Sequence, residues 1–361
     1  MKVLYIGNYK DGTGWASAGA NNIIALHKAG VDVVPRAITF EQTQQDYPQI
    51  IKDLEKKSTE GCDICIQHTL PYLYSYDSRY KNIGYLAVET SNFSDTKWQH
   101  YANLMDEIWV PSDAAKEACI SSGVIKPVKV APHSLDIKGY EDAGGGNQIT
   151  ELQSTFNFVF VGEFIERKNL KALIQAFNME FDYYEPVNLF IKTSKTSLEN
   201  IQKYIKDIQS GLKIRNRYKE HIVVVGRLTK QDYMSVLGQC HSFVMPSRGE
   251  AFCIPALEAM ALKMPVIHTA KTGMDDFCVG HAVSSRSTPC WGAMSTLSNL
   301  DTARSDWREI DIRELCSAMR QAYRSWNSDE EKVQKGTAIT AARAYDHHPI
   351  GHELKELLND G

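Results

Sequence analysis

Short apolar runs and amphipathic stretches take turns along this chain. Runs of four to eight apolar residues bounded by Gly, Pro or polar loops read as strands buried on both faces. They fall at 2–7, 31–34, 63–68, 83–88, 107–112, 128–133, 156–162, 189–192, 221–226, 241–245 and 264–267. Helical patterns fill most of the gaps, at 20–29, 49–57, 113–120, 170–178, 198–212, 232–240, 256–262 and 312–326. Leu198, Ile201, Ile205, Ile208 and Leu212 make one apolar stripe of the longest of these. The tail, 332–358, is helical with a break at Pro349. Strand–helix alternation of this kind predicts parallel α/β sheets.

The pattern predicts two such domains, 1–140 and 155–335, with 336–361 as a terminal helical segment. Residues 136–154 hold Gly144-Gly145-Gly146 and little apolar content, so they read as a flexible linker. Residues 280–306 carry Ser, Thr and Gly without a long pattern and read as loop. A chain of 361 residues is large for one core and natural for two.

Composition narrows the class. Apolar residues make up 43% and charged ones 23%, ordinary for a soluble protein, and no apolar run is long enough to span a bilayer. The first strand begins at Lys2 with no leader-like segment before it, so a cytoplasmic location is expected. A net charge of −4 argues against a general nucleic-acid or anionic-membrane binder. One local exception runs from Lys192 to Glu220, with eight Lys or Arg against three acids, and reads first as a wet helix face and second as a contact for an anionic acceptor or a membrane surface. The eight cysteines are scattered through apolar segments, as reduced thiols are. Cys62 and Cys65 form a C-x-x-C in a strand context with no second pair at zinc spacing, so no metal site is expected.

Candidate chemistry concentrates at Ser247–Met260. A strand, a polar loop, a helix with Pro255 in its first turn and another strand form one βαβ unit there. Ligands of such units gather at the carboxyl ends of the strands, and a helix amino terminus suits a phosphate. Glu250 on the loop and Glu258 one turn into the helix flank that point. Gly12, Gly14 and Gly19 echo a dinucleotide fingerprint, but the last gap is too long and no acid follows at the expected place. Pro71–Tyr76 is rich in aromatics, and Tyr72 and Tyr74 are candidates for stacking on a ligand, as they are for core packing.

The pair Glu250 and Glu258, with Pro255 between and a strand after, resembles the carboxylate-pair motif of GT-B glycosyltransferases, with the nearest likeness to the retaining family 4 enzymes. The likeness extends over most of the chain and is strongest over 156–277. It implies two Rossmann-like domains facing across a cleft, the first for an acceptor and the second for a nucleotide diphosphate sugar, with a carboxy-terminal helix crossing back to the first. It implies that Glu250 touches the transferred sugar, Glu258 holds the ribose hydroxyls and Lys168 holds the diphosphate. The basic partner usual at Glu163 is absent, and Arg167 is the substitute. Phe252, Cys253, Ile254, Arg227 and Gly14 complete the donor-side candidates. The motif's usual glycines are Ala251 and Cys253 here. Glu89 stands where many members have a histidine, and His68, at the end of a neighbouring strand, is a second acceptor-side candidate.

The function implied is retaining transfer of a sugar to a hydroxyl of a glycan, a lipid or a modified nucleobase. No cofactor is required for that chemistry, and nucleic acid enters only as an acceptor. A sugar-nucleotide epimerase, a phosphorylase and a non-catalytic scaffold of the same fold are the alternatives. Nothing in the sequence chooses the donor base, the sugar or the acceptor.

Overall fold

The computed structural model describes residues 1–40, 46–143, 152, 154–290 and 304–360, which divide into two compact units. Unit 1 comprises Met1–Ile137 and Ala344–Gly361, and unit 2 comprises Lys138–Arg343. The triglycine of the expected linker lies outside the described residues. The segment just before it is helical, over 137–143, where the sequence reading had linker.

Unit 1 is a parallel six-stranded sheet in the order β2-β1-β3-β4-β5-β6. Its strands are β1 (Lys2–Gly7), β2 (Asp32–Ala37), β3 (Ile64–His68), β4 (Lys81–Tyr85), β5 (Glu107–Val110) and β6 (Val128–Val130). Helices α1 (Gly14–Lys28), α2 (Gln49–Leu54), α3 (Trp98–Ala102) and α4 (Asp113–Ser121) connect them. As the sequence suggests, Ser112 caps α4, its Oγ accepting from the Ala115 amide at 3.3 Å.

Helix α1 begins six residues before the apolar pattern does, capped by the Thr13 hydroxyl. Apart from Trp15 its early residues are small, so they carry no periodic signal, yet Ala16, Ala18 and Gly19 are buried. A Cβ at Gly19 would stand 2.1 Å from the Asn8 carbonyl oxygen. Glycine is required there by close packing of helix on backbone. The closing helix of unit 1 is α12 (His347–Asn359), which packs on α1. Its Gly351 approaches Ala25 so closely that a Cβ would lie 2.2 Å from the Ala25 carbonyl oxygen. Ile350, Leu354 and Leu358 join the core formed by Val3, Ile23, Leu26 and Ile66. Pro349 sits in the first turn of α12, where amides lack intrahelical partners; the helical break falls just before it, at 344–346.

Unit 2 opens with α5 (Ile137–Ala143) and builds a second parallel sheet, β12-β11-β10-β7-β8-β9. Its strands are β7 (Phe156–Glu163), β8 (Val187–Ser194), β9 (Ile222–Val225), β10 (Ser242–Met245), β11 (Val266–Thr269) and β12 (Gly280–Val283). The helices are α6 (Leu170–Glu180), α7 (Leu198–Leu212), α8 (Lys230–Leu237), α9 (Ile254–Ala261), α10 (Ile312–Arg324) and α11 (Asp329–Arg343). The chain leaves β7 toward β8 and β9, then returns to β10 on the other side of β7. Strand order therefore reverses between β7 and β10. A doubly wound sheet opens a crevice at the carboxyl ends of its strands at that point.

Beyond β11 the sequence reading expected loop. The structure has β12 and an antiparallel pair, β13 (Ser285–Pro289) and β14 (Asp306–Ile310). β13 is polar and largely exposed, and β14 buries only Trp307 and Ile310, so neither an apolar run nor an alternation announces them. Cys62 and Cys65 are buried with Leu4 and Val34, and none of the eight cysteines is in a disulfide.

Candidate active site

The carboxyl ends of β7 and β10 hold a compact ionic cluster. After β7 a 3-10 turn, Glu166–Lys168, brings two cations to the edge of the sheet. It is closed by Asn169 in the left-handed region, at φ 52°, ψ 39°. After β10 the loop carries Ser247, Arg248, Gly249 and Glu250. Lys168 Nζ lies 2.7 Å from Glu250 Oε1, and Arg167 Nη1 lies 3.1 Å from the same oxygen. Arg167 also donates to the Gly249 carbonyl, and the Arg248 amide donates to the Arg167 carbonyl at 2.7 Å. The Glu250 carbonyl accepts from the Gly273 amide at 2.9 Å. These contacts tie together the loops that follow β7, β10 and β11.

Glu250 is only 6% exposed. Burial alone would raise its pKa, but the Lys168 and Arg167 charges outweigh burial and hold the carboxyl below its usual range. It is therefore an anion with two cations on one oxygen. Arg167 joins Lys168 here, while Glu163 pairs with Lys195 at 2.8 Å. A second ionic layer supports the loop: Arg248 binds Glu166 and Glu309, both at 2.7 Å.

Glu258 lies on α9, one turn in, and half-buried. The Tyr140 hydroxyl donates to its Oε1 at 2.7 Å, and the Tyr233 hydroxyl donates to its Oε2 at 2.7 Å. Burial raises the Glu258 pKa, and the two phenols with Lys230 and Lys192 oppose that rise. Lys192 on β8 has a pKa lowered by burial, an effect Glu258 counters and Arg227 reinforces. Arg227 follows β9 after Gly226, which has φ 91°.

Helix α9 starts with Ile254 and Pro255, and no side chain caps its first amides. Its N-cap, Cys253, has φ 87° and ψ 74°, a left-handed conformation that L-residues other than glycine adopt at a cost. Cys253 and Ile254 are buried, and burial pushes the Cys253 thiol up to about 12. Phe252 stacks on Phe277 with ring centroids 4.5 Å apart, so its ring is packed into unit 2.

The unit 1 candidates differ in surroundings. His68 ends β3, 1% exposed, with its ring stacked on Tyr85 at 4.2 Å and its Nδ1 2.6 Å from the Tyr5 hydroxyl. Burial, reinforced by His133, drops its pKa well below the usual imidazole value. It is a neutral histidine in an aromatic cluster that also includes Trp15. Tyr74 is buried against Gly84 of β4, whereas Tyr72 is 49% exposed. Glu89 is half-buried, four residues past the end of β4. Gly14 is the first residue of α1, and a Cβ there would meet nothing within 4 Å.

Sequence reasoning missed Tyr140, Tyr233 and Arg248. Tyr140 lay in the presumed linker and Tyr233 in an ordinary helix pattern, and neither carries a local signal of contact with Glu258. Among the described residues, no group of three or more His, Cys, Asp or Glu side chains is placed to hold a metal ion. No described helix is long and apolar enough to cross a membrane.

Comparison with known proteins bears on this geometry. Residues 148–284 match the family glycosyl transferases group 1. An uncharacterized glycosyltransferase of Methanocaldococcus jannaschii is 28% identical over 138 residues, which is 38% of this chain and 35% of that protein. The serotype-specific mannosyltransferase WbdA of Escherichia coli is 33% identical over 97 residues, 26% of this chain and 11% of its own length. The match thus spans about a third or less of these relatives. Among solved structures, Anabaena HepE in complex with UDP superposes with a TM-score of 0.67 at 13% identity, covering 100% of both chains. The same protein has also been solved in complex with UDP-glucose. The likeness shows the fold. The chain has the GT-B fold, and its residues 148–284 match the family glycosyl transferases group 1.

Proposed function

We propose that this protein is a glycosyltransferase that moves a sugar from a nucleotide diphosphate sugar to a hydroxyl acceptor with retention at the anomeric carbon. One observation carries the reading: Lys168 and Arg167 converge on the buried Glu250 where strand order reverses, beside the uncapped start of α9. Cations and free amides at such a point suit a diphosphate. The matched family and the UDP held by HepE support the same assignment.

Each residue then has a task. The barrier in sugar transfer is charge building on the departing diphosphate. Lys168 and Arg167 neutralise that charge, and the first α9 amides donate to it. Glu250, kept ionised by those cations, accepts from hydroxyls of the transferred sugar and orients it. Glu258 accepts from the ribose hydroxyls. A departing phosphate oxygen takes the acceptor proton, so retention needs no separate strong base. In unit 1, Glu89 is the candidate for contacts with substrate hydroxyls, with Tyr72 the exposed aromatic of the acceptor-side set. His68 and Tyr74 are packed inside unit 1 and contribute shape.

The test is a panel of UDP-, GDP- and ADP-sugars incubated with glycan, lipid and nucleic-acid acceptors. Acceptor-dependent release of nucleoside diphosphate, with the α-anomeric donor giving an α-linked product, supports the reading. Conversion of the donor to its epimer without net release of nucleotide indicates epimerisation, and consumption of sugar phosphate indicates a phosphorylase. A wild-type protein that binds none of the panel overturns the reading.

A further inference from the structure

Glu258 is gripped from two elements far apart in sequence. Tyr140 comes from α5, 118 residues away, and Tyr233 comes from α8, 25 residues away. Each phenol takes a different carboxylate oxygen, both at 2.7 Å. An ionised carboxylate accepts about four hydrogen bonds, two per oxygen. Each oxygen of Glu258 therefore keeps one acceptor direction after the phenols are counted. That is the capacity a vicinal diol needs, one hydroxyl to each oxygen.

The remaining charges around Glu258 are arranged to the same end. Lys230 on α8 stands 5.3 Å from the Tyr140 ring centroid, and the Lys192 charge on β8 favours the ionised carboxylate. Arg227 works against the Lys192 charge, and Cys253 at the head of α9 adds to the rise of the Tyr233 pKa. Burial works against the charged form of Glu258, and these donors and cations work for it. Replacing either tyrosine by phenylalanine leaves the ring in place and removes one donor. Burial is then opposed less, so the carboxyl takes up its proton at higher pH.

We infer that Tyr140 and Tyr233 are positioning residues that keep Glu258 ionised and turned so that both its oxygens receive the two hydroxyls of a nucleotide ribose. The inference rests on the proposed role of Glu258 and adds its supports. It also makes α5, read from sequence as linker, part of the nucleotide site of unit 2.

The experiment is calorimetric binding of UDP, GDP and ADP to wild type, Tyr140→Phe, Tyr233→Phe and Glu258→Gln at pH 6 and pH 8. Comparing each variant with wild type at the same pH cancels the titration of the nucleotide itself. Both tyrosine variants are expected to bind about threefold more weakly at pH 8, and to lose further affinity relative to wild type as the pH is lowered to 6. Glu258→Gln is expected to bind weakly at both. Equal ratios at the two pH values for both tyrosine variants reduce the phenols to packing and overturn the inference, while the role of Glu258 stands. Wild-type affinity in Glu258→Gln overturns the reading beneath it, as does absence of binding by the wild-type protein. If Tyr233→Phe melts early, Tyr140→Phe, from a separate element, decides alone.

Discussion

Lys168 Nζ and Glu250 Oε1 are 2.7 Å apart, joined across the point where the second sheet reverses its strand order. A buried ion pair is a poor source of stability, because desolvation offsets most of its attraction. Its value here is as a prepared charge: a cation held at the sheet edge, with a neutralising anion that a diphosphate can join. Arg167 on the same oxygen means that losing Lys168 still leaves Glu250 paired.

Lys168→Ala therefore leaves a folded protein that has lost a donor to the leaving group. Turnover is expected to fall by about two to three orders of magnitude. The check is kcat alongside the melting temperature. Normal turnover in a folded variant removes Lys168 from the mechanism.

Glu258→Ala removes the acceptor of the ribose hydroxyls. Donor affinity is expected to weaken by about 1.5–3 kcal/mol, the scale of hydrogen bonds to a charged group. Titration calorimetry with the preferred nucleoside diphosphate measures it.

Cys253 occupies a left-handed position, a conformation that glycine alone adopts without cost. An L-residue pays about 1–2 kcal/mol for that conformation. Alanine would keep the strain and lose the buried sulfur, whereas glycine loses the sulfur but relieves the strain. Cys253→Gly is therefore expected to be about 1 kcal/mol more stable than Cys253→Ala in urea unfolding. The reverse order would contradict the backbone conformation.

The glycines near α1 separate packing from binding. Gly19→Ala drives a methyl into the Asn8 carbonyl and is expected to destabilise by about 1–3 kcal/mol. Gly14→Ala meets nothing and is expected to keep the wild-type melting temperature. Loss of donor affinity in folded Gly14→Ala would assign that residue to the ligand.

Acid should weaken the fold through its buried histidines. Burial lowers the His133 pKa to about 3, against about 6.5 in an unfolded chain. The unfolded state then binds the proton first. The stability this histidine contributes is complete above pH 6.5 and drains away as pH falls toward 3. Between pH 6.5 and 5 the loss is about 1.6 kcal/mol. Urea midpoints at the two pH values test it, with His133→Gln expected to flatten the dependence.

Much of this site is local in the chain, and that is why it was legible. The β10–loop–α9–β11 unit needs only an apolar run, a polar loop, a first-turn proline and good helix formers, all within 242–269. Lys168 likewise follows a clean strand. The partners of Glu258 were not legible, because a hydrogen bond across 118 residues leaves no periodic trace. Helix α1 was read short because Gly14–Gly19 are mostly small and make no stripe. Strands β12–β14 carry too few buried apolar positions, Val283, Trp307 and Ile310 among them, to make a run or an alternation that stands out from loop. Pro349 was read as the break itself, when a proline serves a helix start as readily as it stops one.

A crystal structure with a bound nucleoside diphosphate sugar tests the central claim most directly. The account predicts diphosphate oxygens within hydrogen-bond distance of Lys168 Nζ and the first amides of α9, with the ribose hydroxyls on Glu258. A diphosphate seated away from Lys168 and Pro255 would contradict it.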